Sequence, residues 1–155
     1  MENVRTRSRT WPDAALRDRV AFRGHPMVRA LHPTTIEITT EEHLTERGDC
    51  IIGVGADKGC AGLTEEVRQA LKVDGAMVTI GILVAGRRVE IKCRGDSRLT
   101  LSNPREIVVR RSTYVDGRTI AIGADFAALD IPRRVVERLK QDSAEGVFEI
   151  EVTQP

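Results

Sequence analysis

Polar and apolar residues alternate with a period of two over much of this chain. "RVAFRG" at 19–24 alternates, and so does "TTIEITT" at 34–40, which is also β-branched. Such runs mark strands with one face turned inward. "CIIGV" at 50–54 is apolar throughout, as suits a strand buried on both faces. "MVTIGILVAGRRVEIKC" at 77–93 reads as a hairpin turning at Ala85, Gly86 and Arg87. "EIVVRRS" (106–112), "RTIAIG" (118–123) and "GVFEIEVTQ" (146–154) complete the strands. Two stretches switch to a helical period. "LTEEVRQALK" at 63–72 sets Leu63, Val67, Ala70 and Leu71 on one stripe, with Thr64 as N-cap and acids in the first turn. "IPRRVVERLKQ" at 131–141 starts with Pro132 at a helix opening and has its stripe at Ile131, Val135, Val136 and Leu139. Residues 1–17, polar and arginine-rich, read as a flexible arm, with local order near Trp11 or in a short helix at 13–17. One globular domain follows over 18–155.

The domain reads as two similar halves, about 20–84 and 91–154. At an offset of 71, Arg23-Gly24 meets Arg94-Gly95, Pro33 meets Pro104 and Ile36 meets Ile107. After a loop three residues shorter, Gly55-Ala56-Asp57 meets Gly123-Ala124-Asp125. Val67, Leu71 and Lys72 then fall on Val135, Leu139 and Lys140, and a two-residue insertion puts Ile80 on Ile150. The alignment holds about a dozen identities, where residue frequencies give roughly four or five by chance. The expected fold is therefore α+β and β-rich: strands, helix and strand, twice over. The halves would pack about a pseudo-two-fold axis as a β-sandwich or barrel, with the two helices covering its ends.

Composition narrows the functional classes. The chain has 155 residues, enough for one real core, and a net charge of +1, which does not by itself argue for nucleic acid. Aromatic residues make up 3%, too few for the stacking platforms of most single-strand binders. No apolar run approaches a membrane span, and no secretory signal opens the chain, so the cytoplasm is the expected compartment. Three cysteines with no CxxC argue against a disulfide framework or a zinc knuckle.

The candidate chemistry centres on "GVGADKGCAG" at 53–62. Gly-Ala-Asp recurs in the second half, so it serves the fold, with Asp57 and Asp125 each capping a turn. Gly53, Lys58, Gly59, Cys60 and Gly62 do not recur. The loop misses the P-loop pattern, and its helix starts too late for a dinucleotide fingerprint. Two readings remain: a structural loop with a solvated lysine, or an anion nest in which backbone N–H groups and Lys58 hold a phosphate or carboxylate. His25 and His32 lie opposite Asp96 and Asn103, in turns beside proline, where they either bond the backbone or join Asp57 and Lys58 in a polar cluster. His43 reads as exposed. Spacing gives no support to a metal site at His25, His32 and Asp49, and none is expected. Cys93 falls on Phe22 and reads as core, while Cys60 beside Lys58 reads as a buried thiol rather than a nucleophile. Between 87 and 111 there are eight basic residues against Glu90, Asp96 and Glu106. Arg94, Arg98, Arg105, Arg110 and Arg111, with Arg29 and Arg47, form either a solvated face or a phosphate-backbone contact.

"RGHPMVRALHPTTIEIT" and "LTERGDCIIGVGADKG" resemble the signature stretches of domain of unknown function 371, a mainly archaeal family. The resemblance runs from about residue 18 to near the C-terminus and leaves the arm outside. It implies an archaeal cytosolic protein and assigns no activity, catalytic residue or cofactor. The leading reading is a small anionic ligand (phosphate, nucleotide or carboxylate) bound by His25, His32, Asp57, Lys58 and Gly59, in an enzyme of unnamed reaction or a binding protein. The runner-up is an RNA- or DNA-binding module using the arginine face. The third is an interaction protein with no small-molecule site. Cofactor and oligomeric state are left open.

Overall fold

Alternating apolar side chains need two sheets to bury them, and the described residues supply eight strands. The structure is a computed structural model and describes residues 15–44 and 48–155. In chain order the elements are β1 (Leu16–Arg23), β2 (Thr35–Thr39), β3 (Ile51–Gly53), α1 (Glu65–Leu71), β4 (Met77–Val84), β5 (Arg87–Arg94), β6 (Glu106–Arg110), β7 (Thr119–Ala121), α2 (Arg133–Leu139) and β8 (Glu145–Thr153). A short 3-10 turn precedes each helix, at Cys60–Gly62 and Ala128–Asp130. Sheet A runs β1-β8-β4-β5, antiparallel throughout. Sheet B runs β3-β2-β6-β7, with an antiparallel centre and parallel outer pairs. Their inner faces meet in one core containing Phe22, Ile80, Ile82, Phe148 and Ile150 from sheet A and Ile36, Ile38, Ile52, Ile107 and Ile120 from sheet B. Helix α1 packs on β1 and β8, and α2 on β3 and β4.

Both strand orders read the same when β1–β4 are exchanged for β5–β8. The loop contacts repeat as well. Arg23 N donates to Val54 O at 2.8 Å, and Arg94 N to Ile122 O at 3.0 Å. Asp57 N donates to Ala21 O and Asp125 N to Lys92 O, each at 3.0 Å. In return Asp57 Oδ1 accepts from Ala21 N at 3.2 Å and Asp125 Oδ1 from Lys92 N at 3.0 Å. Gly55 and Gly123 take φ of 61° and 62°, a left-handed turn that a side chain would strain. Ala30 and Leu101 share the same unusual region, at 53° and 52°.

The structure departs from the sequence reading in five places. Leu16 and Arg17 belong to β1, paired with Val152 and Glu151, so a helix at 13–17 does not form there. Residues 1–14 of the expected arm, including Trp11, lie outside the described residues. β2 is buried on both faces, because polar side chains cover the face that alternation assigns to solvent. Among the described residues the strand pairing at the two corners is limited to isolated bridges, Arg23 with Val54 and Arg94 with Ile122, so no barrel closes. The two-residue insertion is also absent: Leu71 to Met77 and Leu139 to Glu145 are equal connections. Ile80 does meet Ile150, but as its cross-strand partner on β8.

Each aspartate of Gly-Ala-Asp acts as the missing partner of an edge strand. Replacing either removes one bond from an outer strand that has no neighbour to substitute. Asp57→Ala and Asp125→Ala are each expected to lower the unfolding free energy by about 1 kcal/mol. Equal losses for the two variants in urea melts are the expected outcome.

Candidate functional site

The glycines of the 53–62 loop answer to packing. A side chain at Gly53 would collide with the Phe22 ring, and one at Gly59 would strike the backbone of Pro104, 2.5 Å from its carbonyl oxygen. Most of the N–H groups here are also committed: Gly55 to Glu41 O, Ala56 to Thr39 O, Asp57 to Ala21 O, Ala61 to Asn103 O and Gly62 to Gly59 O. A nest needs such groups to converge on open space.

Lys58 reaches out of the loop to β1. Its ammonium lies 2.9 Å from Asp18 Oδ1, with side-chain exposures of 26% and 7%. Asp18 also accepts from Thr64 N at 2.8 Å and from its neighbour Arg19 N at 2.7 Å. One carboxylate thereby ties the loop, the first strand and the start of α1. Burial pushes the Asp18 carboxyl upward, but the bonds from Thr64, Lys58 and Arg19 outweigh it and hold the group below its ordinary 3.8.

The histidines lie elsewhere. His25 Nδ1 accepts from Met27 N at 3.0 Å, and its own N–H donates to Leu139 O at the end of α2. His32 Nδ1 accepts from Thr34 N at 3.2 Å, and its carbonyl accepts from Leu129 N. Asp96 and Asn103 bond Arg98 N and Arg105 N in the same way, each two residues on. Lys58 meets the first part of β1 and His25 follows its far end, about 16 Å along an extended strand. Among the described residues no hydrogen bond or ion pair joins Lys58 to either histidine, and no group of three or more His, Cys, Asp or Glu could hold a metal.

The arginines are mostly paired. Arg98 grips Asp96 and Thr113 O, Arg111 meets Asp130, and Arg110 bonds Asp116 and Thr119 under the Tyr114 ring. Arg94 lies across Gly123, while Arg105 is exposed. Cys60 is buried with its thiol against Asn103 O and Gly117 O, and burial raises its pKa.

Two polar sites were not legible in the sequence. The first is an open groove of about 550 Å³ on the outer face of sheet A, lined by Arg17, Asp18, Arg19, Thr79, Arg88 and Glu149, with Ile150 and Glu151. Arg17 pairs with Glu151 at 2.5 Å and Arg88 with Glu149 at 2.7 Å. Asp18 is already neutralised by Lys58, which leaves the guanidinium of Arg19 without a carboxylate among the described residues. Outward alternation along β1, β5 and β8 was the available signal. The second is a charged cluster about Glu37 on the opposite sheet, where only the acid inside "TTIEITT" gave a hint.

The halves differ at the Lys58 anchor. By the matched loop contacts, Asp18 corresponds to Val89, Lys58 to Phe126 and Thr64 to Pro132. The second half thus replaces an ion pair with an apolar pair, and the N–H that Asp18 accepts with a residue that has none. Thr64 and Pro132 share their backbone, at φ −59°, ψ 150° and φ −53°, ψ 135°. Asp18→Val alone strands a half-buried cation and an N–H, and is expected to cost about 2 kcal/mol. Adding Lys58→Phe and Thr64→Pro should restore much of that loss, with a favourable coupling of about 1–3 kcal/mol. Chemical denaturation of the single and triple variants measures it.

Comparison with known proteins places this geometry in a family. The model for a domain of unknown function, DUF371, matches residues 20–153. An uncharacterized protein of Methanocaldococcus jannaschii is 39% identical over 131 residues, covering 84% of this chain and 96% of the relative. No helix among the described residues is long and apolar enough to cross a membrane. With both the two-sheet core and the 53–62 loop inside the matched span, the chain belongs to the DUF371 family.

Proposed function

We propose that this protein is a tandem duplication whose first half carries a site for a small anionic ligand, in the groove on sheet A along the strand that Lys58 anchors. The repeated strand orders and paired loop bonds support the duplication. The observation that carries the binding site is the polar trio Asp18, Lys58 and Thr64 standing where the second half has Val89, Phe126 and Pro132. The fold builds the same corner without charge, so stability alone does not call for the ion pair. On the opposite face of β1 from Asp18, Arg19 offers a guanidinium with no carboxylate partner among the described residues, in a groove of ligand size. Phosphate, nucleotide phosphate and carboxylate all fit that chemistry. Lys58 anchors the strand that carries Arg19 through Asp18 and Gly59 lets its loop pass Pro104, while Asp57, His25 and His32 hold the turns that frame the first half. A cytosolic setting suits the three free thiols, Cys50, Cys60 and Cys93.

Thermal melts with inorganic phosphate, pyrophosphate, nucleotides, dicarboxylates and single-stranded RNA test the reading. A hundredfold excess over Kd stabilises the native state by about 2.7 kcal/mol. One class of small anion should raise Tm, and Arg19→Ala should abolish the rise while leaving the unliganded Tm within a degree or two. No shift with any small anion overturns the proposal. A rise with RNA alone, lost steeply with salt, would move it to nucleic-acid binding.

A further inference from the structure

Sheet B carries a charged cluster on its central strand pair. Glu37 sits in mid-β2 opposite Val108 of β6, with only 4% of its surface exposed. Around it stand Cys50 ahead of β3, Glu106 and Arg110 on β6, and Asp116, Arg118 and Thr119 at the approach to β7. Its strand neighbours on the same face, Thr35 and Thr39, are uncharged and buried. Arg118 is divided three ways. Its Nη1 lies 3.5 Å from Glu37 and 3.4 Å from Glu106, and its Nη2 3.1 Å from Asp116. Arg110 adds a 3.0 Å contact to Asp116. The reach to Glu37 is longer than the roughly 2.7–3.2 Å of a strong N–H···O bond. Among the described residues Glu37, Glu106 and Asp116 face Arg110 and Arg118, so these five groups balance when one carboxyl holds a proton. Glu37 is the most enclosed, with 5% side-chain exposure against 27% for Glu106 and 26% for Asp116.

We propose that this cluster is a proton-operated clasp: neutral Glu37 lets the 111–118 segment close over sheet B through Arg118 and Asp116, and ionised Glu37 favours local opening of that cover. An ionised carboxylate in a dry strand face loses its hydration. The like charge of Glu106 adds to the penalty, and a shared Arg118 offsets only part of it. Opening the cover returns water to the charge, and such sub-global openings are separable from unfolding. Burial, then Glu106, pushes the Glu37 carboxyl from 4.5 up to about 7, with Arg118 pulling the other way. Asp116 stays ionised: burial works against it, but bonds from Arg118 and Thr119 hold it at about 2. Cys50 stays a neutral thiol, pushed to about 12 by burial and by Glu37. Because the closed-state value of Glu37 is raised, its contribution to closure is complete below 4.5 and is lost as pH rises to about 7.

Carboxyl-carbon NMR of the intact wild-type chain, with amide exchange across residues 111–121 corrected for intrinsic rates, tests the clasp. Glu37 should titrate near 7, and protection should fall about tenfold per pH unit between 4.5 and about 7 and be level on either side. Glu37→Gln should abolish the slope, and Glu106→Gln should move the midpoint to lower pH. A Glu37 midpoint under about 5.5, or the same slope in Glu37→Gln, overturns the proposal. Should Glu37→Gln fail to fold, the wild-type titration and exchange profile decide alone.

Discussion

The architecture depends on a side chain standing in for a strand. β1 and β5 are the outer strands of sheet A, and each would present a row of unpaired backbone groups. The chain turns sharply at Gly55 and at Gly123, and the aspartate two residues on bonds the outer strand through both its carboxylate and its own N–H. Single backbone bridges beside each aspartate then pull sheet B against sheet A. Two corners made this way hold the sheets together over a shared core without a continuous barrel. The helices can be short, at seven residues each, because they plug a frame that is already fixed.

On that frame the two halves differ mainly in where they put charge. The first half carries Asp18, Lys58 and Glu37 at positions where the second carries Val89, Phe126 and Val108. Lys58 and Asp18 meet at the α1 end of β1, in phase with the buried Val20 and Phe22, and Glu37 lies on the outer side of sheet B. Among the described residues no hydrogen bond or ion pair links the two polar specialisations. One can change its charge without a direct bond to the other.

What could be read from the sequence follows the range of the interaction. Strands, helices and the Gly-Ala-Asp turns depend on neighbours within a few residues, and their patterns were legible. The turn roles of Asp57 and Asp125 followed from side-chain chemistry alone. The partner of Lys58 was not legible, because Asp18 is forty positions away and borders a segment that reads as an arm. Glu37 was hidden for a different reason. Alternation gives the parity of a strand but not what lies over its second face, and Arg118, which covers it, comes from the other half. The grouping of His25 and His32 with Lys58 rested on their all belonging to the first half, whereas β1 separates Asp18, which Lys58 bonds, from His25 beyond its far end.

The strand order has an implication for how the polypeptide could be re-threaded. β1 lies beside β8 along its whole length, so the first and last strands end as neighbours, Leu16 facing Val152. The only covalent link between the halves in sheet A is the Ala85-Gly86 hairpin, exposed and left-handed at both residues. Joining the old ends and cutting there would give a circular permutant with the same ladders, in which the present second half is translated first. Chain direction through this fold is then a matter of gene order rather than of packing.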